Sequence, residues 1–169
     1  AAYAAIADGG QYRKPVFYTK VTDSKGNVLI DNTENKATQV FKASTASLLT
    51  NAMEDVLEKG TGVAARLDNM HAAGKTGTTN EAKDLVFAGF TPYYTAAIWA
   101  TYDTHAEFPE SDREFHKRLW AKVMNEIHEG LADMDFETSA TVQEATICTK
   151  TGLLARSSCP SITEYFAVS

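Results

Sequence analysis

Residues 72–80 read AAGKTGTTN, and a Gly-Lys-Thr string of this kind serves two chemistries. It either closes a phosphate-binding loop that opens a helix, or lies on a strand at the rim of an acyl-transfer site. The phosphate loop has the form G-x-x-x-x-G-K-[ST], with glycines that let backbone N–H groups wrap the phosphates before the helix starts. Gly74, Lys75 and Thr76 supply the end of that pattern, but its first glycine falls at position 69, which is Asn69. Thr76, Gly77, Thr78 and Thr79 are also poor residues with which to open a helix. The stretch AAIWATYD, ending at Asp103, imitates the acidic strand of a nucleotide-binding fold and keeps that alternative in view.

The flanking sequence favours the strand. LVFAGF (85–90) and TAAIWATY (95–102) are β-prone runs joined by the short turn TPYY, so they are expected to pair antiparallel. A nucleotide-binding fold of this kind needs parallel strands with helical crossovers. Upstream, residues 16–22 and 27–31 flank a turn of Asp23, Ser24, Gly26 and Asn27, which signals a hairpin. Leu49, Met53, Val56 and Leu57 recur at helical spacing, with Ser44 or Thr45 as cap and Gly60 as stop. The strongest helical pattern is SDREFHKRLWAKVMNEIHEGL. There Phe115, Leu119, Val123, Ile127 and Leu131 form an apolar stripe widened by Trp120 and Met124, Ser111 and Glu114 are placed as a capping box, and Gly130 ends the run. Residues 132–169 have no lasting period and are expected to form a tail on, or hanging from, a main body of residues 1–131.

The chain has 169 residues, 44% apolar and 22% charged, which is room for one domain with a real core. A net charge of −6 offers no broad basic surface, so nucleic acid is not an expected partner. No apolar run reaches the roughly 18 residues of a membrane span. The opening AAYAAIADGG reads as the last turns of a helix stopped by Gly9 and Gly10, with no initiating Met or cap before it, so the chain is expected to be part of something longer.

The segment AAGKTGTTNEAKDLVFAGFTPYYTAAIWATYD closely resembles the Lys-Thr-Gly-Thr region of class A, bifunctional penicillin-binding proteins, including Lys83-Asp84 and Gly89-Phe90-Thr91-Pro92. YAAIADGGQYRKP resembles the entry to this half of the same transpeptidase domain, and CTKTGLLA with the later CP is similar to C-terminal ends of such proteins in some Gram-positive bacteria. The resemblance implies an α+β fold, the C-terminal portion of an antiparallel sheet covered by helices as in penicillin-binding proteins and serine β-lactamases. It implies serine acyl transfer on peptidoglycan stem peptides, with stem peptide or β-lactam as ligand, at the outer face of the cytoplasmic membrane and attached to the membrane only through the parent protein. Carried over by position, Lys75 would act beside the serine nucleophile in charge stabilisation and proton relay. Thr76 and Thr78 would offer hydroxyls to the ligand's carboxylate, Gly77 would keep the strand open to the ligand, and the Thr78 N–H would be one of two oxyanion donors. One departure is Val86, where the family usually has Trp before the Phe.

The family's other two elements, Ser-x-x-Lys and Ser-x-Asn, are absent from the sequence; the resemblance implies that both precede Lys-Thr-Gly, the nucleophile by more chain than the 74 residues before Lys75. The nucleophile is therefore expected on a preceding segment or a companion chain, and this chain alone is expected to be inactive and unstable without its complement or prone to strand exchange between copies. A non-catalytic module that binds cell-wall peptides on the same fold is the other reading. A second Lys-Thr-Gly, at Lys150, Thr151 and Gly152, sits in the aperiodic tail and reads as coincidence. Cys148 and Cys159 are expected to close a short disulfide, with two free thiols as the alternative. No spacing suggests a metal or cofactor. His116 and His128 are expected to face solvent, and Trp99 and Tyr102 to be core residues.

Overall fold

A computed structural model describes residues 1–168. The motif lies on a strand: β5 (Ala73–Thr78) pairs antiparallel with β6 (Asp84–Phe90), which pairs antiparallel with β7 (Thr95–Thr101). Lys75 is thus in extended backbone in the order β5-β6-β7, with no helix opening behind it, which removes the phosphate-loop alternative.

Strand alternation sorts the sheet into two faces. The registers Lys75↔Ala88↔Ala97 and Gly77↔Val86↔Trp99 put these residues on one face, and Thr76↔Phe87↔Ile98 on the other. The Phe87 face is covered by α3 (Phe115–Ile127), whose Trp120 meets Phe87 edge-on at 4.9 Å and donates its indole N–H to the Ala96 carbonyl at 3.0 Å. Leu57 from α2 (Ala43–Glu58), Ala65, Leu67, Met70 and Met124 complete that core. On the opposite face, Tyr3 and Ile6 of α1 (Ala2–Ala7), Met53 and Phe136 close over Ala73 and Phe90 at one end only. The end bearing Lys75 and Trp99 stays open, and Trp99, expected in the core, is 67% exposed.

Smaller ribbons complete the fold. β1 (Gln11–Tyr12) pairs with β4 (Thr38–Gln39), and the expected hairpin appears as β2 (Lys20–Thr22) with β3 (Val28–Asp31). The region expected to be aperiodic forms a second hairpin, β8 (Val142–Cys148) with β9 (Ser161–Ala167), and Cys148 and Cys159 are joined by a disulfide at its end. Both faces of this ribbon are largely exposed, so its sequence carries no inside-outside alternation to read. Lys150, Thr151 and Gly152 lie in the turn beyond β8, not on a strand.

Three local expectations are corrected. α3 begins at Phe115 after a 3-10 turn at Glu110–Asp112, and Ser111 bonds Asp112 instead of a helix N–H, so no capping box forms. α2 begins at Ala43, ahead of the proposed caps Ser44 and Thr45. His116 and His128 are buried, and the face of α3 against the sheet is formed by His116, Lys117, Trp120, Ala121 and Met124, while Phe115, Leu119, Val123 and Ile127 remain exposed. Among the described residues, no helix is long and apolar enough to cross a membrane.

Candidate active-site strand

The hydrogen-bond phase of β5 decides what its two edges present. The Thr79 N–H bonds the Asp84 carbonyl at 3.2 Å, and these residues continue the register of Thr78↔Leu85. In an antiparallel pair, directly opposed residues alternate between bonded and non-bonded. Gly77 and Lys75 therefore turn their backbone N–H and C=O toward β6, whereas those of Thr76 and Thr78 point to the outer edge. Lys75 agrees with this phase: its ammonium folds over the edge and donates to the Thr76 carbonyl at 3.0 Å. One strip of edge thus carries an exposed ammonium, a backbone carbonyl and outward N–H groups.

The four residues named from sequence lie together on this strand with different surroundings. The Lys75 side chain is exposed on the open face. The Thr76 hydroxyl is 2.7 Å from that of Thr61, in the loop after α2, and 3.5 Å from the Lys75 ammonium, so it is already held by the fold. Thr61 is fixed in turn by its carbonyl, which accepts from the buried Lys117 ammonium at 2.9 Å; Lys117 also pairs with Glu114 at 2.5 Å. Nothing in the apolar pattern of α3 marked Lys117 for this task. Thr78 is exposed at the strand's end.

Gly77 and Gly74 differ in what they protect. A Cβ at Gly74 would meet Phe87 Cζ at 2.6 Å and the Ala88 carbonyl at 3.0 Å, so packing against β6 requires glycine there. At Gly77 the nearest atom would be Val86 Cβ at 3.4 Å, an ordinary contact. The fold does not require glycine at 77, which leaves that face of the strand clear for something laid against it.

Beyond the strand, Asp84 gathers three donors. Its carboxylate accepts from the Trp99 indole at 3.0 Å and from the Thr79 hydroxyl at 3.2 Å, and lies 3.1 Å from His105 Nε2. The His105 hydrogen bond, followed by that of Trp99, holds the Asp84 carboxyl below its usual range. Sequence resemblance brought Asp84 into view, but Trp99 and His105 meet it only through strand pairing.

Two of the cavities, of about 680 and 540 Å³, lie along α2, away from Lys75. Glu54 and His71 line both, and Asp135 and Tyr165 join the smaller. His71 bridges Asp135 at 2.9 Å and lies 3.9 Å from Glu54, whose carboxyl burial pushes up to about 7.

Comparison with known proteins agrees with this geometry. Residues 1–129 match the family model described as the penicillin binding protein transpeptidase domain, and residues 139–168 match that of the penicillin-binding protein 1A C-terminal domain. The chain is 34% identical over 158 residues to penicillin-binding protein 1A of Clostridium perfringens, covering 94% of this chain and 19% of that protein. It is 39% identical over 103 residues to penicillin-binding protein 4 of Bacillus subtilis, covering 61% and 16%. Among solved structures, penicillin-binding protein 1A from Haemophilus influenzae superposes with TM-score 0.80 at 18% identity, over 96% of this chain and 30% of that one, a likeness of fold. PonA1 from Mycobacterium tuberculosis gives 0.65 at 28%, over 80% and 39%. The chain thus spans about a fifth of the length of the first curated relative and belongs to the penicillin-binding protein transpeptidase family.

Proposed function

We propose that this chain is the Lys-Thr-Gly half of a D,D-transpeptidase that cross-links peptidoglycan stem peptides through a serine ester. The observation that carries the reading is the outer edge of β5, where the Lys75 ammonium and the outward N–H groups of Thr76 and Thr78 flank a glycine that the fold itself does not need. A serine hydroxyl attacks the carbonyl carbon of a stem peptide's terminal amide bond; the leaving D-amino acid departs with a proton. An amine of a second stem peptide then takes the acyl group from the serine. Lys75 stabilises charge and relays a proton beside that serine, the Thr78 N–H donates to the oxyanion, and Gly77 lets the ligand lie along the strand. The exposed Thr78 hydroxyl is offered to the ligand's carboxylate, while Thr76 contributes through its bond to Thr61.

The nucleophile belongs, in this reading, to the part of the parent protein that precedes this chain, in a protein held at the outer face of the cytoplasmic membrane of a Gram-positive-type bacterium. Three facts support a missing half: the sequence has no Ser-x-x-Lys, the outer edge of β7 is unpaired among the described residues, and the exposed stripe of α3 lies beside the covered face of the sheet. A β-lactam would occupy the same edge and acylate the same serine. Labelling with a fluorescent penicillin tests this directly. The parent protein labels, its Lys75→Ala variant loses labelling by at least about 10²-fold, and this chain by itself stays unlabelled. Equal labelling of parent and Lys75→Ala would end the reading.

A further inference from the structure

We propose that Asp84 is a positioning residue for this acyl-transfer edge, setting the direction of the Thr78 N–H through Thr79; the inference rests on the function proposed above. Thr78 is the last residue of β5, and everything that fixes its outward N–H on the C-terminal side passes through Thr79. Thr79 is bound to Asp84 three times. Its N–H reaches the Asp84 carbonyl at 3.2 Å, its hydroxyl accepts the Asp84 N–H at 2.9 Å, and the same hydroxyl donates to the Asp84 carboxylate at 3.2 Å.

The turn between them does not hold this geometry unaided. Glu81 and Ala82 both have positive φ, 62° and 48°, in the left-handed region that disfavours residues with a Cβ. Two anchors oppose relaxation. Ala82 is buried with Leu85 and Phe108, and its carbonyl accepts the Phe108 N–H at 3.0 Å. On the other side the Asp84 carboxylate is itself oriented, one oxygen on the Trp99 indole and the other beside His105. Trp99 stands on β7 opposite Val86, in the same cross-strand row as Gly77. Asp84 thus ties the reading end of the motif strand to the far strand of the sheet. An oxyanion donor is useful only where the developing charge appears, and a displacement of about 1 Å costs on the order of 10² in rate.

The test uses the parent protein with its preceding segment in place, following acylation by a chromogenic β-lactam under stopped flow. Asp84→Asn keeps the shape but loses the charge that His105 and Thr79 share. It is expected to slow the limiting acylation rate by about 10²-fold, with the non-covalent affinity for the β-lactam and the thermal midpoint near those of the native protein. Thr79→Val reproduces the defect, Thr79→Ser restores the native rate, and the double variant Asp84→Asn, Thr79→Val is no slower than the slower single one, because the hydroxyl-to-carboxylate bond that Asp84→Asn weakens is among those that Thr79→Val removes. Should Asp84→Asn fail to fold, the contrast between Thr79→Val and Thr79→Ser decides the matter alone. A native limiting rate in Asp84→Asn or Thr79→Val overturns the inference. So does a double defect that multiplies, or a rate that falls only in step with the thermal midpoint. If the native parent itself is not acylated, the acyl-transfer reading fails first and carries this one with it.

Discussion

Glu54 makes the chain less stable as pH rises through neutrality. It stands on α2, 24% exposed, at the cavity where α2 meets the segment leading to the C-terminal hairpin. Loss of solvation raises its carboxyl from 4.5 to about 7; the nearby charges of Glu58, Asp135 and Asp55 push the same way, and His71 opposes them. The neutral acid is therefore the form the folded state prefers. The stabilisation is fully present below pH 4.5, the unfolded value, and is lost as pH climbs through about 7. Each tenfold weakening of the acid on folding corresponds to ~1.4 kcal/mol, so complete ionisation costs about 3 kcal/mol. Glu54→Gln keeps the shape and stays uncharged, so the difference between native and variant isolates this carboxyl from the other titrating groups. Urea unfolding at steps from pH 4.5 to 8.5 is expected to give near-equal stabilities at the acid end and a variant more stable by about 3 kcal/mol at the alkaline end. Amide protection in residues 139–168, taken relative to intrinsic exchange at each pH, should fall over the same range in the native chain and not in Glu54→Gln, because Ser139 and Glu137 attach that hairpin to Ser47, two turns from Glu54 on α2. Native and Glu54→Gln curves that run parallel, or a native chain that gains on the variant above pH 7, would refute the burial argument.

Other perturbations separate fold from function. Gly74→Ala drives a Cβ into Phe87 and should lower stability by about 1–3 kcal/mol in thermal unfolding, whereas Gly77→Ala should leave the thermal midpoint unchanged and abolish penicillin acylation of the parent protein. His116, 2% exposed with neither ring nitrogen hydrogen-bonded among the described residues, should be replaceable by Leu with stability unchanged or raised by about 1 kcal/mol in urea unfolding. Burial, and then Lys117, depresses the His116 pKa, so His116 takes stability from the fold as pH falls below about 6.5, opposing the gain from Glu54, and the advantage of His116→Leu over the native chain should grow over that range.

The strand that carries the site was legible because its evidence was local. Asn69 broke the phosphate loop, four residues after Lys75 refused a helix, and two β-prone runs around a proline turn fixed the pairing that follows. The disulfide, expected from two cysteines eleven residues apart in a chain whose resemblance implies export, with free thiols as the alternative, joins Cys148 and Cys159. What was not legible depended on partners distant in sequence. Thr76 looks like a free hydroxyl in the string Lys-Thr-Gly, yet Thr61 holds it, and Thr61 is held by Lys117 from a helix more than fifty residues on. No spacing rule connects those three positions. The C-terminal hairpin escaped for a different reason: with water on both sides, neither face of β8 or β9 is under pressure to be apolar.

Helix α3 shows how a correct period can mislead about direction. Phe115, Leu119, Val123 and Ile127 recur every four residues, and each such step drifts about 40° around the axis. The stripe therefore sweeps across one side of the helix and adjoins the arc of His116, Trp120 and Met124 without coinciding with it. Apolar and buried arcs together are wider than a single sheet face can cover, and the sheet takes the arc holding Trp120 and Met124, which fill the space over Phe87. His116 and Lys117 are carried into the interior by that choice. Lys117 offsets its desolvation through the Thr61 carbonyl and Glu114, while His116 does so through no hydrogen bond among the described residues. A helix that accepts this cost while leaving Leu119 and Val123 in water has an apolar surface suited to two neighbours. The sheet is one of them. The proposed preceding half of the transpeptidase domain, which in this reading brings a serine to Lys75 at the β5 edge and can pair with the β7 edge that is free among the described residues, fits the position of the other.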